Sequence, residues 1–364
     1  MRHESSRAVC RFPSFTVWLV VVACLAALAL ATPPALAAED QQQKGLALIA
    51  RAAQLENLLA PDVGPFHLRV HVKLLGLTEG TRAGEFLLMA ASQSQWFETV
   101  RFPGYTELTG VLEGQSWRKR NVIDKPFRFH EVSKLLDLTR HLRLPVNVEI
   151  SKLTQKDIRG VQAFCIEASP TIDLWQRDAA LKAAITPVGT SKDSQVTLCF
   201  DPATGGLMSA TYSSSLPRFE YEGQVTLGNK AFPKVLRCYE ANNLAVEATV
   251  VELAAEQNAE PTGFAIPAGA EKWPTCDSPE VPQQVKKQSV GHPSNAKVRK
   301  QFGTVVCLAE IGIDGQINNL SVVQWRSGFI EAIQEAVKSW RYTPATCNGV
   351  PVPAEIYLSV TFPP

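Results

Sequence analysis

Phe66 to Leu74 reads FHLRVHVKL and alternates without error. Phe66, Leu68, Val70, Val72 and Leu74 fall on one face; His67, Arg69, His71 and Lys73 fall on the other. A period of two, apolar against charged, describes a strand buried on one side only. The chain around it must therefore supply an antiparallel sheet with one wet face. Further runs of this kind follow: EFLLMAA, SQWFETVRF, YTELTGVLEG and QSWRKRN, then NVEISKL, VQAFCIEA, SQVTLCF, GLMSATYS, KVLRCYE and LAVEATVVEL. Gly, Pro and Glu-Gly breaks separate several of them, the pattern of a meander. Two helices are expected, one over Gln42–Leu59 and one over Arg128–Leu142, whose inner stripe is Phe129, Val132, Leu135, Leu136 and Leu142. Residues 42–255 thus read as one α+β domain, a large antiparallel curved sheet with covering helices.

Composition removes some function classes. The formal net charge is +1 over 364 residues, so a nucleic-acid partner has no electrostatic footprint. The basic triplet Arg118–Arg120 reads as a solvated strand end. His67 and His71 share their face with Arg69, which repels a metal, and they read as solvated side chains. No Gly-x-Ser-x-Gly, P-loop, His-Glu-x-x-His or dinucleotide fingerprint occurs. The Ser213–Ser215 run reads as a turn edge. The expectation is a non-enzyme without a cofactor, a metal or catalytic residues.

Residues 1–37 form a separate unit. Arg2, Arg7 and Arg11 precede an uncharged stretch, then come Pro33-Pro34 and the Ala35–Ala37 small-x-small site. This is the pattern of a secretory signal cleaved after Ala37. The rival is an uncleaved inner-membrane anchor, since the apolar run is near the ~18–20 residues needed to span. Either way the rest of the chain is expected to be exported.

Export makes the cysteines readable. Of eight, Cys10 and Cys24 lie in the leader, which leaves Cys165, Cys199, Cys238, Cys276, Cys307 and Cys347. Six cysteines in an oxidising compartment allow about 15 connectivities. Nearest-neighbour pairing is the simplest: Cys165–Cys199, Cys238–Cys276 and Cys307–Cys347. Periodicity fades over 256–289, where prolines recur, and this stretch reads as a linker or strap.

The last segment, 290–364, is sharper. Gly303–Ile313 is a strand, Asp314-Gly315 a hairpin turn, and Gln316–Trp325 the return strand. A helix follows with Ser327 as N-cap and Phe329, Ile330, Ile333, Ala336, Val337 and Trp340 on its apolar stripe. The final strand sets Ala354, Ile356, Leu358, Val360 and Phe362 against Glu355, Tyr357, Ser359 and Thr361. The order is ββαβ. The last strand is expected at a sheet edge, able to accept another strand.

Two resemblances follow from these residues. A leading helix followed by GEFLLMAASQSQWFETVRFPGYTELTGVLEGQSW, with its Gly114–Trp117 Gly-x-x-Trp strand, resembles the LolA/LolB-like periplasmic carrier fold. That fold holds acyl chains on its concave sheet, so the resemblance implies a lipid as one partner. Alternatively Phe86, Leu88, Trp96, Phe97 and Trp117 simply fill a core. The second likeness rests on His292-Pro293 with Ala296, Gly303-Thr304-Val305, Ile313-Asp314-Gly315, Ala336-Val337, Trp340-Arg341-Tyr342, Pro344-Ala345, Asn348-Gly349, Pro351-Val352 and Val360–Phe362. Together these resemble the C-terminal domain of TonB energy transducers. The resemblance implies strand addition of an outer-membrane TonB-dependent receptor segment at Glu355, Ile356, Tyr357, Leu358, Ser359, Val360 and Thr361. It also implies coupling to ExbB- and ExbD-type inner-membrane proteins. Gly303, Asp314, Gly315, Trp340, Tyr342, Pro344 and Gly349 would be structural. A homodimer through the same edge is the rival, as is a soluble lipid carrier that uses the module to dock.

Overall fold

The alternation of Phe66–Leu74 builds β1 (Phe66–Leu77), in which the five alternating apolar residues Phe66, Leu68, Val70, Val72 and Leu74 are at most 2% exposed. In this computed structural model the described residues are 34–77, 80–122, 125–126, 128–142, 148–169, 195–212, 217–240, 242–256, 264–276, 280, 282, 284–286, 303–324, 329–337 and 339–362. The leader's charged and apolar parts, Ser213–Ser215, His292-Pro293, Ala296 and Ser327 lie outside them. Among the described residues no helix is long and apolar enough to cross a membrane.

Helix α1 (Pro34–Glu56) precedes β1 and starts earlier than its apolar stripe indicates. After β1 come β2 (Gly80–Ser92), β3 (Gln95–Phe102), β4 (Tyr105–Leu112) and β5 (Gln115–Arg120). The expected helix over Arg128–Leu142 is two helices, α2 (Phe129–Leu136) and α3 (Leu138–Leu142), because Asp137 leaves the helical region at φ −87°, ψ 77°. The strands β6 (Glu149–Ile158), β7 (Val161–Ser169), β8 (Val196–Phe200), β9 (Leu207–Tyr212) and β10 (Arg218–Glu222) follow. A small hairpin, β11 (Val225–Leu227) with β12 (Lys230–Phe232), leads to β13 (Val235–Glu240) and β14 (Asn243–Ala255).

The sheet is antiparallel, with thirteen strands in the order β15-β5-β4-β3-β2-β1-β14-β13-β10-β9-β8-β7-β6. Its outer member, β15 (Glu271–Pro274), comes from the proline-rich strap. The strap is therefore partly a sheet strand rather than a plain linker. It is laid against β5 from Glu271↔Arg118 to Pro274↔Gln115, with Phe264 buried ahead of it. Inside, Ile49 and Ala52 of α1, Phe129, Val132 and Leu135 of α2, and Leu138 and Leu142 of α3 share one apolar core with the inward faces of the strands. On the outer face His67 lies 2.5 Å from Glu256 and 3.2 Å from Glu252, so it is a carboxylate partner and not a solvated side chain.

The terminal segment begins with β16 (Gln284–Lys286) and continues through β17 (Gly303–Ile311), β18 (Ile317–Gln324) and α4 (Ile330–Val337). Short strands β19 (Arg341–Tyr342), β20 (Ala345–Cys347) and β21 (Val350–Val352) precede β22 (Ala354–Phe362). The main sheet runs β18-β17-β22, and along the chain its elements follow as β17, β18, α4 and β22, the ββαβ order read from the sequence. The alternation in β22 buries Ile356, Leu358, Val360 and Phe362 with Phe329, Ile333, Val337 and Trp340. Phe329 stacks on Phe362 at 4.3 Å. Gly315 takes φ 74°, and a Cβ there would run into the carbonyl oxygen of Tyr342, so both turn shape and close packing demand glycine. Asn348 and Gly349 both take positive φ between the paired Cys347 and Val350, a two-residue hairpin loop.

Among the described residues two disulfides are present. Cys165–Cys199 joins the neighbouring strands β7 and β8, and Cys276–Cys347 joins the strap to β20. The pairings Cys238–Cys276 and Cys307–Cys347 do not form; Cys238 and Cys307 are buried thiols. The sheet order explains the first. Cys276 follows β15, and Cys238 lies on β13, seven strand spacings across the sheet. The second fails because Cys307 faces the helix-covered core, whereas Cys347 packs in a separate cluster with Val352, Trp273 and Cys276.

One core carboxyl sets a pH dependence. Glu56 is 4% exposed, and its Oε1 accepts the Leu207 N–H at 2.6 Å. Burial pushes this carboxyl from 4.5 up to about 8, and the Leu207 hydrogen bond only partly offsets that. A raised carboxyl stabilises the fold most below its unfolded value and loses that contribution as pH rises from about 4.5 to about 8. Glu56→Gln mimics the protonated form. In urea melts from pH 5 to 9 it should remove that part of the slope, amounting to at most about 4–5 kcal/mol.

Candidate functional site

Each sheet edge can be compared with the defences edges usually carry. At β6 the pairing with β7 is bulged between Ile150 and Lys152, and Lys152 and Lys156 flank Glu167 at 3.8 and 3.7 Å. At the other end β15 is four residues long and stops at Pro274. In the terminal sheet, β18 meets β17 through two register shifts. The fourth edge differs. β22 pairs with β17 over nine positions, from Gly303↔Phe362 to Ile311↔Ala354, without a shift. Among the described residues no strand pairs with its outer side. It is a straight, regular edge with backbone donors and acceptors in register.

The structure sorts the seven residues of the expected docking strand. Ile356, Leu358 and Val360 point into the module's core, so a partner can reach only their backbone. Tyr357 and Ser359 hold the alternate positions, paired with Leu308 and Val306, and Thr361 pairs with Thr304. Glu355 lies opposite Glu310 at the root of the strand, and its carboxylate is 3.2 Å from the Lys125 ammonium. Of the structural motif, Trp340 and Tyr342 are buried, and Asp314 Oδ1 accepts the Gln316 N–H at 3.0 Å. Gly303 opens β17, and Pro344 sits between β19 and β20.

Behind that root lies a polar junction the sequence reading missed. Glu310 is 4% exposed although it stands on the face of β17 away from the helix. Arg118 and Arg120 each reach Glu310 Oε1 at 3.0 Å, and Lys125 reaches Oε2 at 3.1 Å. Arg118 also holds Glu271 of the strap at 2.9 Å and lies 5.6 Å from the centre of the Trp273 ring. Arg118 and Arg120 are therefore not a solvated strand end; only Lys119 between them is exposed. Burial acts to raise the Glu310 carboxyl, and the charges of Lys125, Arg118 and Arg120 outweigh it, holding it below the usual range. The available signal was a lone carboxylate inside the apolar run GTVVCLAEIGI, with unspent cations on an earlier strand. Among the described residues no cluster suits a metal ion.

Residues 289–364 match the family model of the Gram-negative bacterial TonB protein C-terminal. The TonB C-terminal match thus takes in the whole β18-β17-β22 sheet and its helix. No curated protein matches the chain. Among solved structures, the chain is similar to a domain from Vibrio parahaemolyticus described as an outer membrane lipoprotein-sorting protein, at 12% identity and TM-score 0.38, covering 61% of this chain and 97% of that one. A DUF1329 family protein from Desulfovibrio piger is similar at 10% identity and TM-score 0.36, covering 62% and 99%. A LolA superfamily protein from Nitrosomonas europaea is similar at 9% identity and TM-score 0.35, covering 60% and 96%.

The junction can be tested directly. Glu310→Gln leaves three buried cations without their central carboxylate and should cost about 3–5 kcal/mol in urea denaturation. Hydrogen-exchange protection should fall first in β5 and β17. The half-exposed Glu271→Gln, by contrast, should cost about 1 kcal/mol or less.

Proposed function

We propose that this chain is a periplasmic TonB-like docking protein. Its terminal module adds an extended segment of an outer-membrane receptor to the free side of β22 and so supports transport across the outer membrane. The observation that carries this is the unshifted nine-position pairing of β22 with β17, which leaves its outer edge open inside the segment that matches the TonB C-terminal family. Backbone bonds along that edge would supply affinity. Selection would come from side chains at alternate positions, beginning at Glu355, because Ile356, Leu358 and Val360 are committed to the core. The proposed act is binding, and it needs neither a cofactor nor a catalytic residue. Coupling to ExbB- and ExbD-type proteins belongs to the same proposal if the leader is retained as an anchor.

Strand addition has a signature of period two. Chains carrying cysteine singly at Tyr357, Ser359 or Thr361, incubated with synthetic receptor N-terminal peptides each bearing one cysteine at successive positions, should each link best to one peptide position, and that position should shift by two residues for each step of two along β22. Uniform yields along the peptide would sink the reading, and so would a preferred peptide position that stays the same whichever residue of β22 carries the cysteine.

A further inference from the structure

The six cysteines outside the leader differ in one respect. Cys165, Cys199, Cys238, Cys307 and Cys347 are between 0% and 7% exposed. Cys276 alone among them is partly open to solvent. The thiols of Cys238 and Cys307 are pushed up by burial, that of Cys307 to about 12, so they stay protonated and out of exchange. The disulfide that can be attacked is therefore Cys276–Cys347, at its Cys276 sulfur.

That bond sits at a particular place. Cys347 ends β20, and the hairpin to β21 leads through Val352 directly into β22. Cys276 follows β15, which is paired to β5, and the Thr275 N–H donates to the Gly114 carbonyl at 2.9 Å. Next to the bond, Glu280 and Thr346 exchange backbone hydrogen bonds at 2.8 and 3.3 Å. The start of β22 is also held by the Lys125–Glu355 ion pair. Two tethers, one covalent and one ionic, thus fix the root of the open edge to the large sheet.

We propose that Cys276–Cys347 is a redox clasp that controls the docking competence of β22. The proposal rests on the docking reading of that edge. A dithiol reductant, such as a thiol-disulfide oxidoreductase, supplies a thiolate that attacks Cys276 Sγ. The S–S bond breaks, Cys347 leaves as a thiolate and takes up a proton, and a mixed disulfide forms at Cys276. The reductant's second thiol then attacks that mixed disulfide and closes the reductant's own disulfide, freeing the Cys276 thiol. Two electrons and two protons pass to the chain. With the clasp open, Val350–Ala354 loses its covalent hold and the docking strand loses preorganisation at its root. Cys165–Cys199, buried between β7 and β8, stays closed.

Hydrogen exchange on the full oxidised chain, on the chain treated with dithiothreitol, and on the Cys276→Ser/Cys347→Ser variant tests the clasp without a partner. Amides of Ala354–Leu358 should exchange at least tenfold faster when the bond is absent, with β7 and β8 unchanged. Equal exchange in all three overturns the clasp. Binding of a fluorescent receptor N-terminal peptide is read in parallel. A Kd raised tenfold or more on reduction supports control of docking. An unchanged Kd overturns that control while leaving docking intact. Faster exchange together with no peptide binding by the oxidised chain overturns docking and its control, and leaves a clasp that acts on β22 alone.

Discussion

Glu310 and the three cations around it decide how the two sheets of this chain are arranged. A carboxylate buried to this degree is costly to desolvate, and the attraction of its partners repays the cost only when geometry is good and every group is met. Here two guanidinium groups and an ammonium converge on both carboxylate oxygens at 3.0 to 3.1 Å. An apolar contact of similar area could slide. A carboxylate that needs three cations at once cannot, so the network selects one orientation of β17 over β5. Arg118 extends the constraint by holding Glu271, which aligns the strap on the same strand.

The ionic network and the Glu56 carboxyl respond to pH in opposite senses. Glu310 is held low by its partners, so its contribution is present above the usual carboxylate range and is lost in acid. Glu56 is raised by burial, so its contribution is present in acid and lost toward alkaline pH. The first acts at the junction and the second inside the large sheet. Acid therefore weakens the junction through Glu310, and alkali weakens the packing of α1 on the large sheet through Glu56.

Much of this architecture was legible in the residues because it depends on local periodicity. The alternation of Phe66–Leu74 gave β1, and that of Ala354–Phe362 gave the inward face of β22. Asp314-Gly315 and Asn348-Gly349 marked turns that need positive φ. What was illegible depends on long-range placement. Arg118 and Arg120 looked solvated because their partner lies 190 positions from Arg120 in the chain. The pairing of Cys276 with Cys347 rather than Cys238 follows from strand order, which no spacing rule contains. The strap's proline content suggested a linker, yet Glu271–Pro274 fits a sheet edge because its proline stands at the strand's end. Glu355 lies on β22 where the alternation put it, but its pairing with Lys125, which anchors the root of that edge to the segment after β5, was not legible.

The edges of the two main sheets differ in their capacity for self-association. A protein with two open sheet edges can add copies without limit, since each addition leaves a new free edge. Here the strap blunts one edge of the large sheet, a bulge and lysines blunt the other, and register shifts disturb β18. Among the four edges of the thirteen-stranded and three-stranded sheets, only that of β22 stays regular and open in the described residues. Pairing two copies through one such edge consumes it on both, giving a closed two-fold dimer with nothing left to propagate. On the proposed docking reading, a receptor segment and a second copy would be mutually exclusive occupants of β22, so self-pairing would set a concentration above which free edges grow scarce.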